Sequence, residues 1–257
     1  MGLNKMGGIL SMDIMKKQEH RPWPVPSKNW IMRQTWKNVY FAHWPILPER
    51  LRPFIPSTLE IDTYQQMAWL GVVIFEIEGI YFRGLSPISV VYKFPEVNLR
   101  TYVQHKWKPG VFFLSLDVGN WASLAISKRW YHLPYCKAKI SYRKEGNTFH
   151  CQSVRKSKNN IPIALNGYFT PVLGSYFPEE GTIDHWLTER YCLYSLDRRG
   201  NIYCGDIHHK PWPLQKATAE ISNNTLPTPF GIDISEDEPI LHFSKGLDAL
   251  FWNIKKE

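Results

Sequence analysis

Residues 67–80 read MAWLGVVIFEIEGI. As a strand, this run presents Ala68, Leu70, Val72, Ile74 and Glu76 on one face and Trp69, Gly71, Val73, Phe75 and Ile77 on the other. Both faces are apolar, so the strand must lie centrally and be covered on both sides. The 257 residues can bury the core that this requires. Aromatic residues make up 14% of the chain, which favours further strands around it over helices. The 19 prolines and 16 glycines are scattered, as many turns require.

Residues 36–44 (WKNVYFAHW) form an expected strand. Trp36, Asn38, Tyr40, Ala42 and Trp44 share one face, and Lys37, Val39, Phe41 and His43 the other. His43 therefore sits on a largely apolar face, as a core histidine or as a site residue. Residues 48–54 (PERLRPF) suit a short helix begun by Pro48 and ended by Pro53 and Pro56. In residues 96–103 the period of two is clean: Glu96, Asn98, Arg100 and Tyr102 alternate with Val97, Leu99, Thr101 and Val103. That polar face either meets solvent or lines a cavity. In the second case Arg100 is an anion clamp, its guanidinium held by Glu96 and Asn98. A turn signal at 106–110 (KWKPG) leads into a return strand at 111–118 (VFFLSLDV), giving an antiparallel hairpin. Asn120 fits the N-cap of a helix over 121–131, with Lys128 and Arg129 near its C-terminal end.

Residues 135–142 (YCKAKISY) read as one strand, with Tyr135, Lys137, Lys139 and Ser141 on one face. Residues 149–154 are its hairpin partner across Glu145-Gly146-Asn147. Residues 161–177 carry Pro162, Gly167, Pro171 and Gly174 and read as irregular connection. A helical turn at 182–187 precedes two strands, 189–196 and 201–207, joined by Asp197-Arg198-Arg199-Gly200. Strands at 216–221 and 239–243 follow, and residues 247–254 close the chain as strand or helix. Many strands with a few short helices make the fold class mainly β, an antiparallel barrel or sandwich. One domain covers residues 21–257. Residues 1–20, with methionines at 1, 6, 12 and 15, read as a disordered tail or a mis-assigned start.

The net charge of +8 permits contact with anions. The basic residues fall in short groups with no nucleic-acid motif, so no nucleic-acid partner is expected. The longest apolar run, 68–75, is far short of the ~20 residues that span a bilayer, and no signal peptide is evident. Cys136, Cys151, Cys192 and Cys204 show no CxxC spacing and read as reduced thiols, which implies a cytoplasmic setting. A homo-oligomer is left open.

Several longer motifs are distinctive: FAHWPILPERLRPFIPSTLEIDTY, FPEVNLRTYV, PGVFFLSLD, HLPYCKAKI and LTERYCLYSLDRRGNIYCGDIHHKPWPLQKA. In this order, from about residue 30 to the C-terminus, they closely resemble the YqjF-like family of uncharacterised bacterial proteins, a domain of unknown function. That family is similar to the acetoacetate decarboxylase fold. The resemblance implies a closed antiparallel β-barrel with a small-molecule cavity. In the decarboxylases a helix runs into a proline-marked turn and two adjacent lysines, one of which forms a Schiff base. The segment SLAISKRWYHLPYCKA has the same layout, but Tyr135 and Cys136 stand where the lysine pair is expected. A phenol and a thiol cannot form that imine. Lys137 has the strand phase of Tyr135 but continues into a basic face through Lys139 and Arg143.

No metal site is expected, because His208 and His209, adjacent in extended chain, point to opposite faces and no ligand spacing accompanies them with His185 or Glu189. Neither a GxSxG elbow nor a glycine-rich phosphate loop is present, and no cofactor is implied. The most economical site is a pocket for a small organic carboxylate on Arg100, with Asn98, Glu96, His43 and Tyr135 around it. Acid–base catalysis there, of a lyase or isomerase kind, would fall to His43, Glu96 or Tyr135, and residual imine chemistry to Lys137. A filled barrel acting as a structural or interaction module is the remaining alternative. Glu189-Arg190 is a second charged candidate, otherwise a structural ion pair.

Overall fold

The apolar run at 67–80 becomes the long third strand of a mainly β protein, described by a computed structural model over residues 13–84, 93–119, 131–157 and 161–257. Among the described residues the strands are β1 (Met32–Ile46), β2 (Glu60–Ile61), β3 (Ala68–Phe82), β4 (Lys93–His105), β5 (Lys108–Val118), β6 (Tyr135–Lys137) and β7 (Lys139–Glu145). They continue with β8 (Thr148–Arg155), β9 (Ile163–Pro171), β10 (Cys192–Leu196), β11 (Ile202–His209), β12 (Gln215–Asn224), β13 (Ile240–Phe251) and β14 (Lys255–Lys256). Helices Pro48–Leu51 and Ile183–Thr188 are short, the second capped by the Thr182 hydroxyl. No described helix is long and apolar enough to cross a membrane. The helix expected over 121–131 lies outside the described residues except for Tyr131.

The strands follow the order β14-β11-β10-β5-β4-β3-β1-β13-β12-β9-β8-β7. Strand β11 also pairs with β13, Ile207 opposite Phe251. Pairing is mostly antiparallel, but β5 runs parallel to both β6 and β10, a departure from the all-antiparallel expectation. Parallel neighbours need a crossover of a dozen or more residues. The chain between β5 and β6, and the excursion through β7, β8 and β9 before β10, supply them.

Strand β3 is buried on both faces, as its sequence demands. Ala68, Leu70, Val72 and Ile74 join Phe149, Cys151, Leu165 and Phe169 of β8 and β9 in one core. Trp69, Val73, Phe75 and Ile77 face the other way, into two further clusters. Each fully buried side chain of this size contributes about 1.5–3 kcal/mol. Sheet β7–β8–β9–β12 is thus a second layer packed on one face of β1, β3, β4 and β5.

Three local readings need correction. Residues 135–142 split at Ala138 into β6, beside β5, and β7, in the second layer. Residues 163–171 form strand β9 despite their glycine and proline: Gly167 leaves room for the Phe169 ring, 3.2 Å from where a Cβ would stand, and Pro171 falls at the strand end. Strand β13 runs from 240 through 251, absorbing part of the closing segment. Of the tail, the described part from Asp13 packs against β11: Ile14 is buried and its carbonyl accepts from His208 Nε2 at 3.0 Å.

Candidate functional site

The alternation in β4 sorts its residues between two environments. Val97, Leu99 and Val103 enter the core beneath the second layer, while Glu96, Asn98 and Arg100 line a cavity of about 100 Å³ on the other side. Strand pairing builds the surrounding wall. Asn98 lies in one row with Phe41, Val73, Leu116 and Tyr135, and all five line the cavity. Arg100 lies in the next row with Gly71 and Phe113. A bulge at Leu114–Ser115 shifts the phase of β5, so that both Phe113 and Leu116 face inward.

A second bulge decides which aromatic reaches the cavity. Strict alternation in β1 puts Trp36 on the face opposite Phe41. Instead the β1–β3 register shifts between Lys37 and Tyr40, with Asn38 at a φ of 51°. Asparagine tolerates this left-handed conformation better than most residues. The extra residue brings Trp36 onto the face of Val39 and Phe41, and it lines the cavity. Gly246, paired with Lys37, makes the bulge sterically feasible: a Cβ there would stand 1.9 Å from the Trp36 carbonyl oxygen.

Arg100 is the principal cation of the site. Its Nη2 donates to the Tyr102 hydroxyl at 3.2 Å and approaches the Leu187 carbonyl at 3.5 Å, and its Nε is buried without a hydrogen-bond partner. Among the described residues no carboxylate lies within ion-pair reach of it. The expected clamp, with Glu96 and Asn98 gripping the guanidinium, is therefore not formed. Arg100 extends instead over the rings of Phe41 and Tyr102.

Glu96 is 4% exposed. Burial pushes its pKa up to about 8, against the hydrogen bonds from Asn98 and Tyr135, which pull it down. At neutral pH it is mainly a carboxylic acid, able to donate a hydrogen bond. The side-chain oxygen of Asn98 is buried and unpartnered.

His43 stands behind this wall and does not line the cavity. It is fully buried, and burial together with the nearby Arg100 and His242 holds its pKa well below the usual histidine value. Its Nε2 lies 2.7 Å from the Tyr102 hydroxyl, which donates to the Leu187 carbonyl at 2.9 Å. Tyr102 thus joins His43 to Arg100, which makes the neutral imidazole a supporting group for Arg100.

Residues 33–248 match the sequence family DUF2071, described as "Uncharacterized conserved protein". The chain belongs to that family. A curated relative, "Uncharacterized protein YqjF" of Bacillus subtilis (strain 168), is 43% identical over 232 residues, covering 90% of this chain and 95% of the relative. Solved structures share the fold at much lower identity. Acetoacetate decarboxylase of Legionella pneumophila aligns with a TM-score of 0.59 at 14% identity, over 93% of both chains. The enduracididine biosynthesis enzyme MppR, complexed with pyruvate, aligns at 0.62 and 11%, also over 93% of both. An acetoacetate decarboxylase-like enzyme of Sphingomonas wittichii RW1 aligns at 0.60 and 10%, over 93% of this chain and 98% of that one.

Within this fold, Tyr135 lines the cavity, while Cys136 is turned partly outward with its thiol 3.7 Å from the Pro134 carbonyl oxygen. Lys137 is exposed one step further along β6 and is not part of the wall. Among the described residues, none that lines the cavity is a lysine. Glu189 and Arg190 do not pair with each other. Glu189 accepts from the Tyr191 hydroxyl and the Trp212 backbone N–H, while Arg190 bonds Asp62 at 2.5 Å and the Trp186 carbonyl at 2.7 Å. Arg190 lines the cavity, with its Nη2 buried and unpartnered. It was foreseeable only as a charged candidate, because its partner Asp62 is remote in sequence. Gln34, Trp36 and His209 also line the cavity and carry no local signal of it. His208 and His209 are held by backbone carbonyls, and burial lowers both pKa values to about 4.

Proposed function

We propose that the cavity binds a small organic monocarboxylate with Arg100 as its counter-ion. The observation that carries this is a half-buried guanidinium, its Nε buried and without a hydrogen-bond partner, on the wall of a mostly apolar cavity. A buried donor without a partner is unfavourable, and a carboxylate bound to the guanidinium with bidentate geometry would satisfy it. Charge counting favours a monoanion. Arg190 is neutralised by Asp62, and Glu96 is mainly protonated, so Arg100 leaves a single net positive charge. Glu96 and Tyr135 offer hydrogen bonds to a second polar group of the ligand.

The pairing of β11 with β13 supports reading β11, β10, β5, β4, β3, β1 and β13 as the closed barrel of the decarboxylase-like fold, with the site inside. MppR, a fold neighbour, is described in complex with pyruvate, itself a small carboxylate. Imine chemistry is not carried over to this chain, because no lysine lines the site among the described residues. A second reading, acid–base catalysis on the bound acid, rests on Glu96, whose pKa of about 8 suits proton exchange near neutral pH. The four free thiols accord with a cytoplasmic setting.

Calorimetric titration with acetate, propionate, pyruvate and their amides tests the binding reading. Acids should bind and amides should not, and Arg100→Gln should weaken acid binding by about 2–5 kcal/mol. Equal binding of acids and amides, or binding of neither, would sink it.

A further inference from the structure

The polar ladder of β4 accounts for only part of the cavity wall. Trp36 anchors an aromatic cluster on the rest of it. Its ring centroid lies 5.8 Å from Phe75, 5.8 Å from Phe251 and 6.0 Å from Trp212, the last nearly parallel at 5°. Phe41 meets Trp212 edge-on at 5.1 Å. All five rings line the cavity. The Trp36 indole N–H donates to Gln34 at 2.9 Å, which fixes the plane of the ring, and Trp36 is only partly buried.

Phe75 stands directly across from Glu96, and the Arg100 guanidinium lies 5.6 Å above the Phe41 ring. Aromatic surface therefore accompanies the whole polar ladder. Its length, four residue steps from Glu96 to Arg100, is roughly 13 Å between the outer Cα atoms. A short acid such as acetate would satisfy Arg100 and leave most of this surface uncovered. At about 100 Å³ the cavity is smaller than an apolar cavity of ~150 Å³ that holds benzene, so a ring would have to extend past it along the partly buried Trp36.

Building on the carboxylate reading, we infer that the ligand is an aryl carboxylic acid, with its carboxylate on Arg100 and a single aromatic ring, on a short aliphatic spacer, against Trp36 and Phe75. Offset and edge-to-face ring contacts favour such a ring beyond its buried area. Trp36 and Phe75 are then specificity-determining residues.

The test is calorimetric titration with acetate, propionate, phenylacetate, 3-phenylpropionate and phenylacetamide, on wild type, Trp36→Leu and Phe75→Leu, each checked for folding by circular dichroism. Aryl acids should bind at least about tenfold more tightly than the aliphatic acids. Either substitution should remove most of that advantage, read as the ratio of aryl to aliphatic affinity in the same variant; Phe75→Leu serves if Trp36→Leu does not fold. If aliphatic acids bind as tightly as aryl acids, or both variants keep the aryl preference, this inference fails while the carboxylate reading stands. If phenylacetamide matches phenylacetate, or no acid binds, the carboxylate reading fails and this inference with it.

Discussion

His43 and Arg100 occupy one cross-strand row with Gly71 between them, and their side chains close over that glycine. A Cβ at Gly71 would lie 3.1 Å from His43 Cδ2 and 3.3 Å from Arg100 Cγ. Both neighbours are also tied through the Tyr102 hydroxyl, so neither can yield freely. Gly71→Ala should destabilise the fold by about 1–3 kcal/mol through overpacking. It should also move the guanidinium and weaken carboxylate binding. Urea unfolding and ligand titration check the two effects, and an unchanged protein would show that the row is not tightly packed.

The same row predicts an acid-labile fold. The native pKa of His43 is depressed, so the folded state refuses a proton that the unfolded state takes up below about pH 6.5. The contribution of His43 to stability is full above that pH and is lost on acidification, at up to roughly 1.4 kcal/mol per pH unit. His208 and His209 act in the same direction down to their pKa values of about 4. Imidazole NMR shifts should show His43 neutral at pH 5.5, and a His43 signal titrating near 6.5 would contradict this.

Glu96 works in the opposite sense. Its native pKa is raised, so its stabilising protonated state is present at low pH, and stability falls as pH rises from about 4.3, the unfolded value, through about 8. Glu96→Gln stays neutral throughout. It should be more stable than wild type by a margin that grows from pH 5 to 8 and then levels off. Ionised Glu96 also cancels the charge of Arg100, so wild-type carboxylate affinity should fall above about pH 8, by up to tenfold per pH unit, whereas Glu96→Gln should show no such fall. Parallel pH profiles of the two proteins would refute the assignment.

The period-two pattern of β4 was enough to group Glu96, Asn98 and Arg100 on one face, because alternation is local and one face of the strand is core. The apolar run of β3 announced two layers for the same reason. What escaped the sequence depends on breaks in periodicity and on distant pairing. Trp36 is misplaced by strict alternation because the bulge at Asn38 changes its face. Arg190 is read as pairing with Glu189 because Asp62, its partner, is remote in sequence. His43 has the right face, but Tyr102 stands between it and Arg100. The parallel placement of β10 beside β5 has no local signature at all.

Asp117 and Arg155 join the two layers by a fully buried ion pair, with the Ser153 hydroxyl donating to the same carboxylate at 3.0 Å. Burial raises the Asp117 pKa despite the adjacent guanidinium, so desolvation outweighs the attraction. Asp117→Asn leaves Arg155 buried and uncompensated and should cost about 3–5 kcal/mol. Replacing both, as Asp117→Leu with Arg155→Met, should recover most of that loss. Urea midpoints decide the matter: a single variant within about 1 kcal/mol of wild type would mean that water reaches the pair.

The lysine chemistry of the decarboxylases supplies the last prediction. An imine needs an amine that meets the carbonyl carbon of the bound substrate. Tyr135 occupies the wall position beside Leu116, and the next residue of its phase, Lys137, pairs with Val118 and is exposed. An amine outside the cavity wall does not meet the carbonyl carbon of a bound substrate. Incubation with pyruvate or acetoacetate followed by borohydride should therefore leave the intact mass unchanged at equimolar ligand. Tyr135→Lys places an amine in the wall, close to the buried Glu96 and on the same cavity as Arg100. That variant should give a borohydride-trapped adduct on residue 135. A stoichiometric adduct on Lys137 of the wild-type protein would show that this lysine reaches the cavity after all, and would restore the decarboxylase-type mechanism.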